Sequence, residues 1–184
     1  MIHNPKMECM SREDMRKIQS ERLQKTVKNC YENVPFYKKK MDEIGVKPED
    51  IKSIDDIVKL PFTTKHDLRD EYPFGLQAVP QNEIRRIHAS SGTTGKPVVG
   101  TYTENDLKMW AECVARVLAV GDVGPGDIVQ VAYGYGLFTG GLGVHDGAAF
   151  RGAVQLPISA GNSEKQIMLM KDFGTTTLCC TPSY

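Results

Sequence analysis

Apolar positions recur at helical spacing through the first part of the chain and as short β-branched runs through the second. From Ser11 onward, Leu23, Val27, Cys30, Tyr31 and Val34 fall within one arc of roughly 100°, the buried stripe of a helix. Met15 and Ile18 lie off that arc, so the first turns pack differently. Ser11 with Asp14 approximates a capping box, and Pro35 stops the helix near Asn33. Pro35 at a first helical position and Gly45 as a stop frame a second helix. Ser53 with Asp56, and Thr64 with Asp67, predict two short helices.

The period then changes. Ile84 to His88 and Val98 to Tyr102 are rich in β-branched and aromatic residues and read as two strands joined by a loop. Thr103 with Asp106 starts a long helix, whose stripe is Leu107, Ala111, Val114 and Leu118, flanked by Trp110 and Val117. Lys108, Glu112 and Arg116 take its opposite side. After a turn over 121–126 come a strand over 128–133, a helix of small residues over 139–151 and a strand over 154–158. Ser163 with Gln166 caps a helix to Phe173, Gly174 stops it, and a last strand covers 176–181. Strands alternating with helices predict a parallel sheet of βαβ units, its apolar strands covered on both faces. The fold class is therefore α/β: a helical arm over 1–82, then a β-hairpin and a βαβαβ parallel sheet within an α/β subdomain over 83–184.

Bulk properties narrow the class of partner. Lys and Arg total 23 and so do Asp and Glu, which favours neither nucleic acid nor a membrane surface. No apolar run has the length of a membrane span, and residues 1–10 lack the apolar core of a signal peptide. Cys9, Cys30, Cys113, Cys179 and Cys180 show no C-x-x-C pair. They read as reduced thiols in a cytoplasmic protein. Cys179 and Cys180 sit in an apolar strand, a place for buried, inert thiols.

The candidate chemistry lies in two stretches. In Ser90-Ser91-Gly92-Thr93-Thr94-Gly95-Lys96-Pro97, glycines admit a backbone that approaches a ligand closely. Successive N–H groups can form an anion nest, and hydroxyls and a lysine add donors and charge. That chemistry holds phosphate, although the same composition also suits a plain surface loop. The spacing is not that of a Walker A loop, because Gly92 and Gly95 are three apart and a strand follows Pro97. The second stretch, Tyr133-Gly134-Tyr135-Gly136-Leu137-Phe138, lies at the carboxyl end of a strand, where open α/β sheets bind ligands. Its aromatic rings offer flat apolar faces to an aromatic acid, or form core beneath a loop. Tyr135 could point either way. His145 reads as a packed histidine, with no metal-ligand partner at suitable spacing, and no G-x-S-x-G elbow is present.

The first stretch resembles the phosphate loop of the adenylate-forming enzymes: acyl-CoA synthetases, luciferases and nonribosomal adenylation domains. The stretch from Tyr133 through Thr139, Gly140 and Gly143, with His145 and Gly147, resembles the phenylacetate–CoA ligase branch. So do Asn33-Val34-Pro35-Phe36-Tyr37 and Leu60-Pro61-Phe62-Thr63-Thr64-Lys65. The resemblance spans essentially the whole chain. It implies part of the large N-terminal domain of such an enzyme, which activates an aryl-acetic acid with ATP and Mg²⁺ and passes the acyl group to coenzyme A. It further implies that Ser90, Ser91, Gly92, Thr93, Thr94, Gly95 and Lys96 bind phosphate, with Lys96 an electrostatic stabiliser. Tyr133, Tyr135, Phe138, Thr139 and Gly140 then line the acyl pocket. Ligases of this kind are longer, so the expectation is an N-terminal portion, inactive alone, that forms homo-oligomers or joins the missing C-terminal part. A non-catalytic interaction domain and a small phosphate-loop nucleotide hydrolase stay open as alternatives.

Overall fold

The computed structural model describes residues 1–91 and 95–183. The chain divides into two compact units, 5–101, and 1–4 with 102–184. The β-hairpin thus groups with the helical arm that precedes it.

The arm begins with a short helix α1 (Pro5–Glu8) and continues as α2 (Arg12–Asn33) and α3 (Pro35–Glu43). Ser11 caps α2, its side chain accepting from the Asp14 N–H at 3.1 Å, which satisfies one of the orphan donors of a first turn. Val34 ends α2 and Pro35 opens α3. The apolar stripe of α2 buries Val27 against Met41 and Ile51, with Leu23, Tyr31, Val46 and Leu60 around them. The Ser53–Asp56 box is present, but it opens a 3₁₀ stretch, Ile54–Lys59, in place of an α-helix. So short a run closes i→i+3 bonds readily, and the Ile54 N–H is taken by Ser20 Oγ at 3.0 Å. The Thr64–Asp67 box opens α4 (Lys65–Asp70) as expected. Strands β1 (Ile84–Ala89) and β2 (Val99–Thr103) pair as a two-stranded ribbon.

The second unit begins with α5 (Glu104–Val120), capped by Thr103 and Asp106. Its buried stripe is Ala111, Ala115, Leu118 and Ala119, with Val114 packed against the same core. Val117, expected to flank it, is 68% exposed, and the stripe turns instead toward Ala115, which is fully buried. Then follow β3 (Ile128–Val131), α6 (Thr139–Phe150), β4 (Val154–Leu156), α7 (Ser163–Phe173) and β5 (Thr177–Cys179). The sheet is parallel in the order β4-β3-β5, with Val129 opposite Gln155 and Thr177. Val129 and Val131 face Leu118, Val123, Ala148 and Ala153 in the core.

Helices α5 and α6 cross at close range. A Cβ at Gly143 would stand 2.8 Å from the Trp110 ring, and one at Gly147 would stand 2.5 Å from a Val114 methyl. Only hydrogen fits at either position. On α7 the cap is Asn162, not Ser163. Asn162 takes a left-handed conformation at φ 50°, and its side chain accepts from the Lys165 N–H at 3.1 Å. Gln166 is therefore free of the capping box and turns into the protein.

Candidate functional site

The two candidate stretches belong to different units, and each is built locally. The phosphate-loop candidate sits between β1 and β2. The Ser90 N–H donates to the Val98 carbonyl at 2.9 Å, and the Val98 N–H donates to Ser90 Oγ at 2.9 Å. Ser90 thus ties off the base of the loop and keeps its own hydroxyl hydrogen for another acceptor. Ser91 is exposed. Gly95 sits at φ +129°, with nothing within 4 Å of where a Cβ would be, a backbone that a side chain would strain. Lys96 is exposed, and its Nζ lies 5.4 Å from the centroid of the Tyr72 ring. Gly92, Thr93 and Thr94 lie outside the described residues. The element that follows is β2, a strand.

The second stretch lies past the carboxyl end of β3. Tyr133 and Tyr135 are half-buried against the sheet core, whereas Phe138 is 67% exposed at the residue that caps α6. The Tyr133 hydroxyl donates to the Cys180 carbonyl at 2.8 Å, joining the segments that leave β3 and β5. Burial pushes its hydroxyl above the ordinary tyrosine range, making it a weaker acid, and the neighbouring Cys179 and Cys180 add to the shift. Tyr135 turns toward His145, ring edge against ring face at 6.0 Å, with its hydroxyl 3.5 Å from Nδ1. Burial first, and the charge of Asp146 second, push its hydroxyl up to about 12, so it stays a neutral donor. Burial likewise pushes the Cys179 thiol up, in keeping with an unreactive sulfur.

Thr139 and Gly140 form the first turn of α6 beside these rings. A Cβ at Gly140 would meet the Phe138 ring at 3.6 Å and the Tyr133 ring at 3.9 Å. One at Gly141 would collide with the Gly134 carbonyl at 2.7 Å, so the helix starts directly on the turn. Five predicted residues are thereby gathered around one bend: Tyr133, Tyr135, Phe138, Thr139 and Gly140.

Sequence reasoning missed the polar cluster beneath this end of the sheet. Gln130 and Gln166 are fully buried. The Gln130 amide donates to Gln166 Oε1 and accepts from Thr175 Oγ1 at 2.9 Å, and the Gln166 amide donates to the Ser159 carbonyl at 2.7 Å. This network holds the β4–α7 connection against β3. Gln130 sits in a run otherwise apolar, and its one polar letter was the available signal.

Among the described residues, no group of three or more His, Cys, Asp or Glu is placed to hold a metal ion. Nor is any described helix long and apolar enough to cross a membrane. All five cysteines are free thiols.

No family model matches the chain. Curated relatives do. The chain is 53% identical over 184 residues to the phenylacetate–coenzyme A ligase of Thermus thermophilus, covering 100% of itself and 41% of that protein. It is homologous to the phenylacetate–CoA ligases. The Aromatoleum evansii enzyme is 52% identical over 178 residues, and that of Escherichia coli 51% over 187. The chain spans 40 to 43% of the length of these ligases. Among solved structures, a 2-hydroxyisobutyryl-CoA ligase with its acyl-AMP and CoA superposes with a TM-score of 0.90 at 32% identity. That match covers 98% of this chain and 40% of the other. The same ligase in its postadenylation state gives a TM-score of 0.89. The α/β unit with its parallel sheet is thus the fold of adenylate-forming CoA ligases.

Proposed function

We propose that this chain supplies a phosphate loop and one wall of an acyl site to an AMP-forming ligase. The enzyme would convert phenylacetate, or a related aryl-acetic acid, to its coenzyme A thioester through an acyl-adenylate. The observation that carries the reading is the 50 to 53% identity with four phenylacetate–CoA ligases along nearly the whole chain. The likeness to a CoA ligase solved with acyl-AMP and CoA supports it. In domain terms, 1–82 is a helical arm and 83–184 is part of a larger α/β domain.

In the first half-reaction a carboxylate oxygen attacks the α-phosphorus of ATP, and the bond to pyrophosphate breaks. Charge gathers on the leaving pyrophosphate, where donors from Ser90 to Gly95 and the ammonium of Lys96 stabilise it. In the second, the thiolate of coenzyme A attacks the acyl carbon and AMP leaves. The wall at Tyr133, Tyr135, Phe138, Thr139 and Gly140 holds the aryl group. Tyr133 and Tyr135 are fixed by their hydroxyl contacts, and Phe138 offers an exposed ring. Bound magnesium would supply positive charge that stabilises the phosphates as pyrophosphate leaves. Among the described residues, no group of three or more His, Cys, Asp or Glu is placed to hold it. The free thiols fit a cytoplasmic enzyme.

The competing hydrolase reading needs a helix after the loop, and β2 stands there instead. The test is exchange of labelled pyrophosphate into ATP by the whole protein. Exchange that requires phenylacetate or an analogue supports the proposal. ATP hydrolysis with no acid present would point to the hydrolase, and absence of both ATP and acid binding to an interaction domain.

A further inference from the structure

We propose that Tyr72 is a positioning residue for Lys96, restraining and orienting its ammonium before an anionic phosphate group arrives. The proposal rests on the phosphate-loop reading given above. The Lys96 Nζ stands 5.4 Å from the Tyr72 ring centroid, inside the range of about 6 Å over which a ring face attracts a cation. Among the described residues Lys96 forms no ion pair. Other lysines of the same unit do: Lys40 with Asp67 at 2.9 Å, Lys59 with Asp56 at 2.8 Å, and Lys47 with Asp42.

The difference in partner has a chemical consequence. A carboxylate would neutralise the ammonium and compete with phosphate for it. A neutral ring restrains the side chain but leaves the full charge, and leaves N–H donors to reach an incoming oxygen. The backbone beneath the ring is anchored, because the Tyr72 N–H donates to the Arg69 carbonyl at the end of α4 at 3.2 Å. Lys96 carries a long, rotamer-rich stem that costs free energy to order. Restraint in advance moves part of that cost out of the binding step.

The experiment titrates inorganic pyrophosphate into the protein and its Tyr72→Leu, Tyr72→Phe and Lys96→Ala variants by calorimetry, with the Lys96 ε-methylene protons followed by NMR. The expected result is a Kd weakened about 2- to 5-fold in Tyr72→Leu, the worth of one exposed cation–π contact, and unchanged in Tyr72→Phe. The ε-methylene protons should show an upfield ring-current shift in the parent and in Tyr72→Phe, lost in Tyr72→Leu. A merely structural tyrosine would not produce that signature. If Lys96→Ala loses affinity while Tyr72→Leu binds as tightly as the parent, or more tightly, this proposal is overturned and the loop reading survives. If Lys96→Ala binds pyrophosphate as the parent does, or the parent binds none, the loop reading fails and this proposal with it.

Discussion

Lys96 is a point charge, and its value depends on when an anion stands before it. In the proposed reaction that anion is present only while pyrophosphate is bound and leaving. Lys96→Ala should therefore slow acyl-adenylate formation by roughly 10- to 1000-fold, the loss typical of one preorganised donor or cation. Thioester formation from pre-made acyl-adenylate should continue at close to the parent rate. Lys96→Arg should recover part of the loss, since a planar fork does not replace a compact ammonium. The two half-reactions are measured separately, and equal losses in both would make Lys96 structural. At this scale the loop was legible because its chemistry lies in eight consecutive letters. Tyr72 was not, because its link to Lys96 exists only once α4 and the ribbon have brought distant residues together.

Caps and breakers made the elements readable. Ser11, Ser53, Thr64 and Thr103 each carry an acidic residue three positions on, and each opens a helical segment. The same reasoning misplaced one cap, because Gln166 three residues after Ser163 imitates a box while its side chain is committed to Gln130 across the sheet. Gln130→Leu should cost about 1–3 kcal/mol by leaving the buried Gln166 amide oxygen and the half-buried Thr175 hydroxyl unpaired. The double variant with Gln166→Leu should cost less than the two single losses together, as urea unfolding would read. The helix crossing gives a second test. A methyl at Gly147 ordinarily favours a helix by up to ~1 kcal/mol, but here it meets Val114 at 2.5 Å. Gly147→Ala should therefore lower Tm, with an overpacking cost of about 1–3 kcal/mol. Adding Val114→Ala should restore part of it; additive losses would count against the clash. Glycines in α6 were visible as letters, but which were spacers and which were contacts depended on α5 lying across them.

Paired carboxyls make the helical arm sensitive to acid. The 5–101 unit contains Asp42, Asp56 and Asp67, each with its carboxyl held below the usual range. For Asp42 the first cause is the hydrogen bond to Lys47, for Asp56 that to Lys59, and for Asp67 that to Lys40, which brings it to about 2. A carboxyl lowered on folding adds stability above its unfolded value, near 4, and that contribution is lost as pH falls through the folded value. The arm should thus weaken between about pH 4 and pH 2, by an amount that solvent screening keeps modest. Asp67→Asn should flatten that part of the curve of Tm against pH; an unaltered curve would show that the Lys40 pair contributes nothing.

The tight seat of Gly143 has an optical consequence. The indole it touches belongs to Trp110, the chain's one tryptophan, which also stacks on Tyr102 at 5.2 Å. Tryptophan emission from these residues thus comes from a single seam, where α5 meets the helix whose first turn carries Thr139 and Gly140. Colour and quenching of that emission become a label-free gauge of α6, sensitive to any ligand or substitution that lifts the helix from its neighbour.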